Sequence, residues 1–522
     1  MAPQSRAHRL LLAVCGVFAL LSLVLVPLTL PLGWDETVYA SRFAPYAPAT
    51  PFSAPRTRGV PFLIAPVAAW SDSVVLLRVW LTLLSTTALY LGFRPWLRSL
   101  GRPSAAAVAA ALYGGLWFVL FYASAAMPNH YTAMGAVGAV GLFLRRRQSP
   151  ATCTGVFAGL ALATLMRPND GAALGAPLLA AALLVSAWRG WSRVLAVLGG
   201  LAVGALPWIV EAYVRFGGLR ERLAEASEVQ GDLRPLLSFV HHLTVMDGPL
   251  LCRPCDSDGI RPLAAEWWLV LPLLVAVGLW SVRGGERARR ERHGRRQPGS
   301  PPLHATTPPL RAATPLLAAP LLATPRPATD LGRCLLAVAT ALCAALPYLL
   351  LVPYAAPRFL APTHALLAPV AALGVLALGD SALASRRPYV ATAALGLTLL
   401  GHLAVQLPLT HSNADIQAGA RGDWARVAEV LHAHGVGAET GATSETESGA
   451  STKKAPPCLL RGNTSVIPIA YATGCTPGTP GDPRRPAALV LRDAEPPRWA
   501  RAWPRHRVPD TYAPGWVVRV RP

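Results

Sequence analysis

The chain has 522 residues, of which 53% are hydrophobic and only 14% are charged, whereas typical soluble domains carry about 25% charged residues. This composition excludes a disordered chain and argues against an ordinary soluble protein. The net charge of +21 fits either a nucleic-acid-binding protein or a membrane protein with basic cytoplasmic loops. Its distribution favours the membrane, because residues 10–32 contain no Lys, Arg, Asp or Glu and about 20 apolar residues span a bilayer.

Apolar runs along the chain predict an α-helical polytopic membrane protein with about eleven transmembrane helices. The predicted spans are 10–32, 74–93, 104–123, 131–144, 153–166, 171–187, 194–213, 263–281, 331–355, 359–380 and 388–406. Every even-numbered span is followed by a basic loop, and basic residues in short loops stay in the cytoplasm. We therefore predict a multi-pass protein of the plasma membrane whose N-terminus is cytoplasmic and whose C-terminal segment is extracytoplasmic.

The charge and proline content divide the chain into four parts. Residues 1–282 form an N-terminal membrane bundle that includes a first external loop at 33–73, and residues 331–406 form the C-terminal membrane helices. Between them, 283–330 is rich in Arg and then in Pro, which predicts a cytoplasmic linker. We interpret its basic run as a topology signal attracted to anionic lipid, and we expect no nucleic acid partner.

Residues 407–522 predict a small extracytoplasmic α/β domain. An amphipathic pattern begins at Trp424, and short strand-like runs lie at 458–461, 487–492 and 516–520. The polar stretch 435–457 predicts a mobile loop.

Four of the eight cysteines fall in segments that the topology places outside the cytoplasm. Cys252 and Cys255 resemble half of a zinc knuckle, but no second pair of ligands follows at that spacing. In an oxidising compartment we expect the disulfides Cys252–Cys255 and Cys458–Cys475.

The first external loop carries the most informative residues, Asp35, Glu36 and Tyr39. Two adjacent carboxylates at the bilayer interface can be partly buried and so serve as proton acceptors. The alternative is structural: Asp35 caps a short interfacial helix, with Glu36 in its first turn and Tyr39 in the aromatic belt.

Arginines recur at the external corners of the predicted bundle. Arg56 and Arg58 lie in the same loop as the carboxylates, Arg167 lies at a corner with Asp170, and Arg358 opens a late helix. The guanidinium group suits phosphate oxygens. The alternative for each one is an interfacial anchor that reaches toward the headgroups.

These motifs resemble a known family. An Asp-Glu pair followed by Tyr after the first helix, the corner Arg167-Pro168, and Pro357-Arg358-Phe359-Leu360 are similar to the GT-C superfamily of polyprenyl-phosphate-sugar-dependent glycosyltransferases. Within it, the resemblance is to the protein O-mannosyltransferase and aminoarabinose transferase group, and it covers about residues 10–406.

The resemblance implies a function that the residues can perform. A sugar would pass from a polyprenyl-phosphate donor to a hydroxyl of an extracytoplasmic acceptor in one inverting displacement, with Asp35 as general base and Glu36 orienting it or binding the acceptor. Arg56, Arg58 or Arg358 would hold the phosphate, while Tyr39, Arg167 and Asp170 complete the substrate site. A divalent cation on Asp35 and Glu36 is left open, since no His/Asp cluster at ligand spacing accompanies them. A transporter and a non-catalytic cell-envelope scaffold are the rival functions.

Overall fold

The structure is a computed structural model, which describes residues 3–44, 47–255, 266–295, 329–383, 388–437, 458–479 and 482–522. The helices of the first half are α1 (Pro3–Leu25), α2 (Trp34–Ala40), α3 (Gly59–Ala68), α4 (Val74–Phe93), α5 (Trp96–Ser99), α6 (Ala105–Gly114), α7 (Trp117–Tyr122), α8 (Asn129–Phe143), α9 (Pro150–Met166), α10 (Pro168–Leu184) and α11 (Trp191–Arg215). The later elements are α12 (Leu219–Val229), α13 (Phe239–Thr244), α14 (Glu266–Arg295), α15 (Asp330–Leu350), a 3-10 turn (Pro357–Leu360), α16 (Ala361–Leu383), α17 (Pro388–Ala433), β1 (Leu459–Gly462), α18 (Val466–Thr473), β2 (Thr476–Pro477), β3 (Ala488–Arg492), a 3-10 turn (Arg498–Ala500), β4 (Arg505–Arg507) and β5 (Trp516–Val520).

The predicted polytopic helical architecture is confirmed. Each predicted span coincides with a helix or with two consecutive helical segments. Among the described residues, six helices are long and apolar enough to cross a membrane on their own: Gln4–Leu25, Val74–Ser99, Trp191–Arg215, Glu266–Glu291, Asp330–Leu350 and Pro357–Ser381. The remaining predicted spans fall on shorter helices or on α17.

Several of the predicted span boundaries differ from the helix bounds, and sequence or backbone conformation explains two of them. The first helix ends at Leu25 instead of residue 32, shortly before Pro27, whose ring cannot continue the helical hydrogen-bond ladder. The span 104–123 is two helices, because α6 stops at Gly114 and Leu116 adopts an extended conformation before α7 begins.

Helices run across two of the predicted domain boundaries. The Arg-rich start of the predicted linker is helical, since α14 continues through 283–295, whereas 296–328 lies outside the described residues. The boundary at 407 falls inside α17, which runs unbroken from Pro388 to Ala433 despite Pro408. The amphipathic pattern at Trp424 is therefore the C-terminal part of α17, and most of the predicted loop, 438–457, lies outside the described residues.

The C-terminal segment forms a five-stranded sheet in the order β2-β1-β3-β5-β4. Strands β2, β1 and β3 run parallel, while β5 is antiparallel to both β3 and β4. Val427 and Leu431 of α17 pack into the core of this sheet beside Leu460, Val490 and Val518. The predicted α/β domain is thus built onto the end of α17.

Contacts between the C-terminal segment and the loop 33–73 place both at the same end of the bundle. Ile467 and Tyr471 of α18 pack against the apolar cluster that contains Val38 and Tyr39 of α2. Helices α2 and α3 belong to the loop 33–73, so this loop contains two helices, and α18 packs against the first of them.

Asp423 of α17 fixes the C-terminal sheet to the bundle. Its carboxylate, buried in the structure, accepts hydrogen bonds from the backbone N–H groups of Tyr512 and Ala513 at 2.6 and 2.9 Å and from Trp516 Nε1 at 3.2 Å.

We predict that Asp423→Ala removes the acceptor of the buried Trp516 N–H and of two partly buried backbone N–H groups, and lowers the free energy of unfolding by about 2 kcal/mol. Limited proteolysis of the detergent-solubilised chain should then release the sheet faster. Asp415→Ala is the matched control, since Asp415 is exposed on the same helix. Equal cleavage rates in the two variants would contradict this role for Asp423.

Candidate functional site

Helix α2 starts at the predicted carboxylate pair. Its N-cap is Gly33, so Asp35 lies in the first turn and is not the cap. Glu36 is the third helical residue, and its Oε2 accepts a hydrogen bond from the Gly33 N–H at 2.8 Å, as in one half of a capping box. Both carboxylates are favourable at this helix end because the free N–H groups leave partial positive charge there.

Glu36 is the centre of a buried ionic cluster. Its carboxylate accepts from Arg78 at 2.6 Å, from Arg421 at 3.1 Å and from the Ala126 N–H at 2.9 Å, and its side chain is 3% exposed. Burial opposes its ionisation, but the two guanidinium groups outweigh burial and lower the pKa of Glu36 to about 2. The cluster ties α2 to α4 and α17.

Gly33 allows this cluster to form. A Cβ atom at position 33 would lie 2.9 Å from an Arg421 guanidinium nitrogen, which is closer than side-chain carbons approach. Only glycine therefore lets Arg421 reach Glu36 without displacement.

Asp35 points away from that cluster, toward two other arginines. Its Oδ1 lies 2.7 Å from Arg56 and its Oδ2 lies 3.7 Å from Arg358, and its side chain is 33% exposed. Burial alone would raise the pKa of Asp35, but Arg56 and Arg358 hold it below the ordinary value. Asp35 is therefore a carboxylate at neutral pH.

Asp35 opens into a cavity of about 540 Å³. The described lining residues include one carboxylate, Asp35, and four arginines: Arg56, Arg167, Arg253 and Arg358. Tyr39 also lines it, and burial raises the pKa of Tyr39 to about 12, so its phenol remains a hydrogen-bond donor. The cavity has an excess of positive charge that suits an anionic ligand.

Arg167 and Arg358 reach the cavity because prolines turn the chain beside them. Arg167 precedes Pro168 and is extended between α9 and α10, as the residue before a proline usually is. Asp170 is buried outside the cavity lining, where its Oδ2 lies 3.2 Å from Arg167 Nε and its Oδ1 accepts from the Tyr348 hydroxyl. Asp170 thus orients Arg167.

The disulfide loop at 252–255 contributes to the position of Arg358. The structure joins Cys252 to Cys255 and Cys458 to Cys475, with Cα atoms 4.8 and 4.7 Å apart. The Cys252 N–H donates to Ala355 O at 3.0 Å, and Arg358 donates to Leu250 O at 2.8 Å. Arg358 also donates to the Tyr122 hydroxyl at 2.8 Å.

Arg58 does not join the other predicted arginines. It pairs with Glu211 of α11 and its guanidinium lies over the Phe52 ring. Arg222, which is fully buried, pairs with the same carboxylate at 3.1 Å and donates to the carbonyls of Ala54 and Arg56. This second cluster holds the backbone that carries Arg56 into the cavity.

Asn129, at the start of α8, lines the cavity with unused hydrogen-bonding groups. It is 2% exposed, and neither its amide nitrogen nor its carbonyl oxygen has a partner among the described residues. A buried carboxamide in that state is costly, and a ligand that both donates and accepts would satisfy it.

The described residues give a poor fit to a divalent cation. No group of three or more His, Cys, Asp or Glu side chains within the described ranges is placed to hold one. Asp35 and Glu36 engage separate pairs of arginines, so the two carboxylates do not converge on one ion.

Sequence reasoning missed several residues of the site. Arg78 could have been found from the sequence, since it is the single charged residue in the predicted span 74–93. Charged residues within a membrane span usually have a structural or functional partner. The sequence gives no comparable indication for Arg421 and Asn129, because their roles depend on which helices pack together.

The chain is similar in structure to membrane enzymes of known fold. It superposes on ArnT from Cupriavidus metallidurans bound to undecaprenyl phosphate with a TM-score of 0.55 and 13% identity, covering 97% of each chain, and on the same protein in the apo state with the same values. The chain has a GT-C-like fold. A weaker likeness, with a TM-score of 0.47, 13% identity and coverage of 90% of this chain and 64% of the other, extends to the archaeal oligosaccharyltransferase AglB from Archaeoglobus fulgidus. The sequence matches no family model and no curated protein.

In this GT-C-like fold we predict that Glu36→Gln destabilises the protein, because Arg78 and Arg421 lose their buried counter-charge. The expected loss is about 3–5 kcal/mol near neutral pH, measured by thermal or denaturant unfolding in detergent. Glu429→Gln, an exposed site on α17, is the control.

The stabilisation that Glu36 provides depends on pH in a defined direction. The folded pKa of Glu36, about 2, lies below the ordinary 4.5, so its contribution is complete above pH 4.5 and is lost as the pH falls toward 2. The difference between wild type and Glu36→Gln should therefore shrink over that range. A difference that is constant with pH would contradict the ionic role.

Proposed function

We propose that this protein is a glycosyltransferase that moves a sugar from a polyprenyl-phosphate donor to a hydroxyl of an extracytoplasmic acceptor. The observation that carries the proposal is the pairing of Asp35 with Arg56 and Arg358 in a cavity lined by four arginines. The likeness to an ArnT that is bound to undecaprenyl phosphate supports the choice of donor. We propose the plasma membrane as its location, with the C-terminal domain and the site on the outer face.

Arg56 and Arg358 are the residues we assign to the donor phosphate. Both line the cavity, and guanidinium groups bind phosphate oxygens through charge-assisted hydrogen bonds. Arg167 adds a third positive charge, held in place by Asp170. As the bond from the sugar to the phosphate breaks, these charges stabilise the anion that leaves.

Asp35 is the group we assign as general base. The acceptor oxygen attacks the anomeric carbon, its proton passes to an Asp35 oxygen, and the electron pair of the broken bond leaves with the polyprenyl phosphate. An in-line displacement of this kind inverts the anomeric centre. In the free protein the two arginines weaken Asp35 as a base, but a bound phosphate shares them and so restores basicity to the carboxylate.

Glu36 and Asp170 act on the reaction through other residues in this proposal. Glu36 fixes the helix turn that carries Asp35, and Asp170 orients Arg167. The Asn129 carboxamide, with a free donor and acceptor, suits hydroxyl groups of the sugar or of the acceptor.

We predict that Asp35→Asn lowers sugar transfer by about 10²–10⁴-fold, because the amide keeps the shape of the side chain but cannot accept the proton. The measurement is mass spectrometry of envelope glycans and lipids from cells that carry only the variant. Asp72→Asn, an exposed position in the same loop, is the control. Product within about threefold of wild type would contradict the assignment, and it is also what a non-catalytic scaffold predicts.

A second prediction tests whether the arginines of the cavity bind the donor phosphate. Arg358→Ala should weaken binding of undecaprenyl phosphate to the solubilised protein by about tenfold or more, with Arg358→Lys intermediate, because lysine keeps the charge but loses the fork geometry. Arg220→Ala and Arg220→Lys are the matched pair, since Arg220 is exposed and lies outside the lining. Equal losses at the two positions would show that general charge, and not the cavity, binds the phosphate.

A further inference from the structure

A second cavity lies at the other end of α4 from the site. Its volume is about 910 Å³, and its lining residues come from α1, α4, α5, α8 and α9, with Leu63 of α3. Arg78, near the start of α4, binds Glu36, whereas Arg94 follows the last residue of α4. Sixteen residues of helix separate the two arginines, a distance of about 24 Å along the axis.

The cavity is an apolar groove that opens sideways. Its walls include Leu84, Leu91 and Leu142, and Leu91 is 53% exposed on the outer surface of the bundle. Gly135 and Gly159 line it where α8 and α9 are in close contact. A Cβ on Gly135 would lie 2.5 Å from the Gly159 carbonyl oxygen, and a Cβ on Gly159 would lie 2.7 Å from the Gly135 carbonyl oxygen. In a membrane protein a groove of this kind faces lipid chains.

Three arginines line one end of this groove: Arg94, Arg98 and Arg145. None of the three forms an ion pair within the described ranges, and no Asp or Glu is among the described residues of the lining. The Arg145 Nε atom is buried and has no hydrogen-bond partner in the part of the chain that the structure describes. The pKa of Arg145 is lowered by burial and then by the nearby charges of Arg98 and Arg94, so the three positive charges repel one another.

We propose that this groove is a binding site for an anionic glycerophospholipid. An acyl chain lies along the leucine walls, and the phosphate of the headgroup accepts hydrogen bonds from Arg98 and Arg145, which supplies the missing counter-charge. A glycosyl donor whose phosphate bound in this groove would lie far from Asp35. The groove is therefore separate from the site of the proposed reaction. The bound lipid instead anchors this end of the bundle to one leaflet of the membrane.

The test is native mass spectrometry of the purified full-length chain with added phosphatidylglycerol or phosphatidylcholine of the same acyl composition. The double variant Arg98→Gln with Arg145→Gln removes two charges from the groove. Its matched control is Arg146→Gln with Arg147→Gln, which removes two charges from exposed neighbours outside the lining. A third variant, Ala158→Phe, obstructs the groove without changing charge.

We expect wild type to retain phosphatidylglycerol over phosphatidylcholine, and the Arg98/Arg145 variant to bind it about tenfold more weakly. The Arg146/Arg147 control should stay within about twofold of wild type, and Ala158→Phe should also bind less lipid. Equal losses in the two double variants would overturn the proposal in favour of general surface charge. Displacement of phosphatidylglycerol by an equimolar amount of undecaprenyl phosphate would assign the groove to the polyprenyl lipid and would also overturn it.

Discussion

The buried carboxylate of Glu36, held between Arg78 and Arg421, is the interaction on which the arrangement of the site depends. It joins the loop 33–73 to the start of α4 and to α17, the long helix that packs against the C-terminal sheet. Removing one partner of a buried ionic cluster leaves an uncompensated charge, so the three segments are constrained together. Because Glu36 is directly beside Asp35, the same cluster fixes where the Asp35 carboxylate enters the cavity.

The arginines around the site fall into two groups, those that hold the scaffold together and those that face the cavity. Arg78, Arg222 and Arg421 are buried against carboxylates and carbonyl groups and belong to the scaffold. Arg56 and Arg358 instead share Asp35, the one carboxylate among the described lining residues, and face open volume. A phosphate would compete with Asp35 for these two guanidinium groups, which couples donor binding to the basicity of Asp35.

Sequence patterns predicted much of the architecture and part of the site. Apolar runs located the membrane helices, and the short strand-like runs at 458–461, 487–492 and 516–520 located β1, β3 and β5, because both signals are local. Patterning placed a domain boundary at 407, where the hydropathy falls, but α17 continues through this point despite Pro408 because the helix goes on to pack against the C-terminal sheet. The Arg-Pro corner and Pro-Arg-Phe-Leu motifs identified Arg167 and Arg358, whereas Arg58 could not be separated from Arg56 because their side chains leave the same loop in different directions. Contacts such as Arg421 with Glu36 join residues 385 positions apart and have no local signature.

The most direct test of the account is a cryo-EM structure of the protein with undecaprenyl phosphate. The account predicts phosphate density in the cavity within hydrogen-bonding distance of Arg56 and Arg358, with Asp35 released from at least one of them and Glu36 unmoved between Arg78 and Arg421. Phosphate density elsewhere, with both Asp35 ion pairs intact, would contradict it.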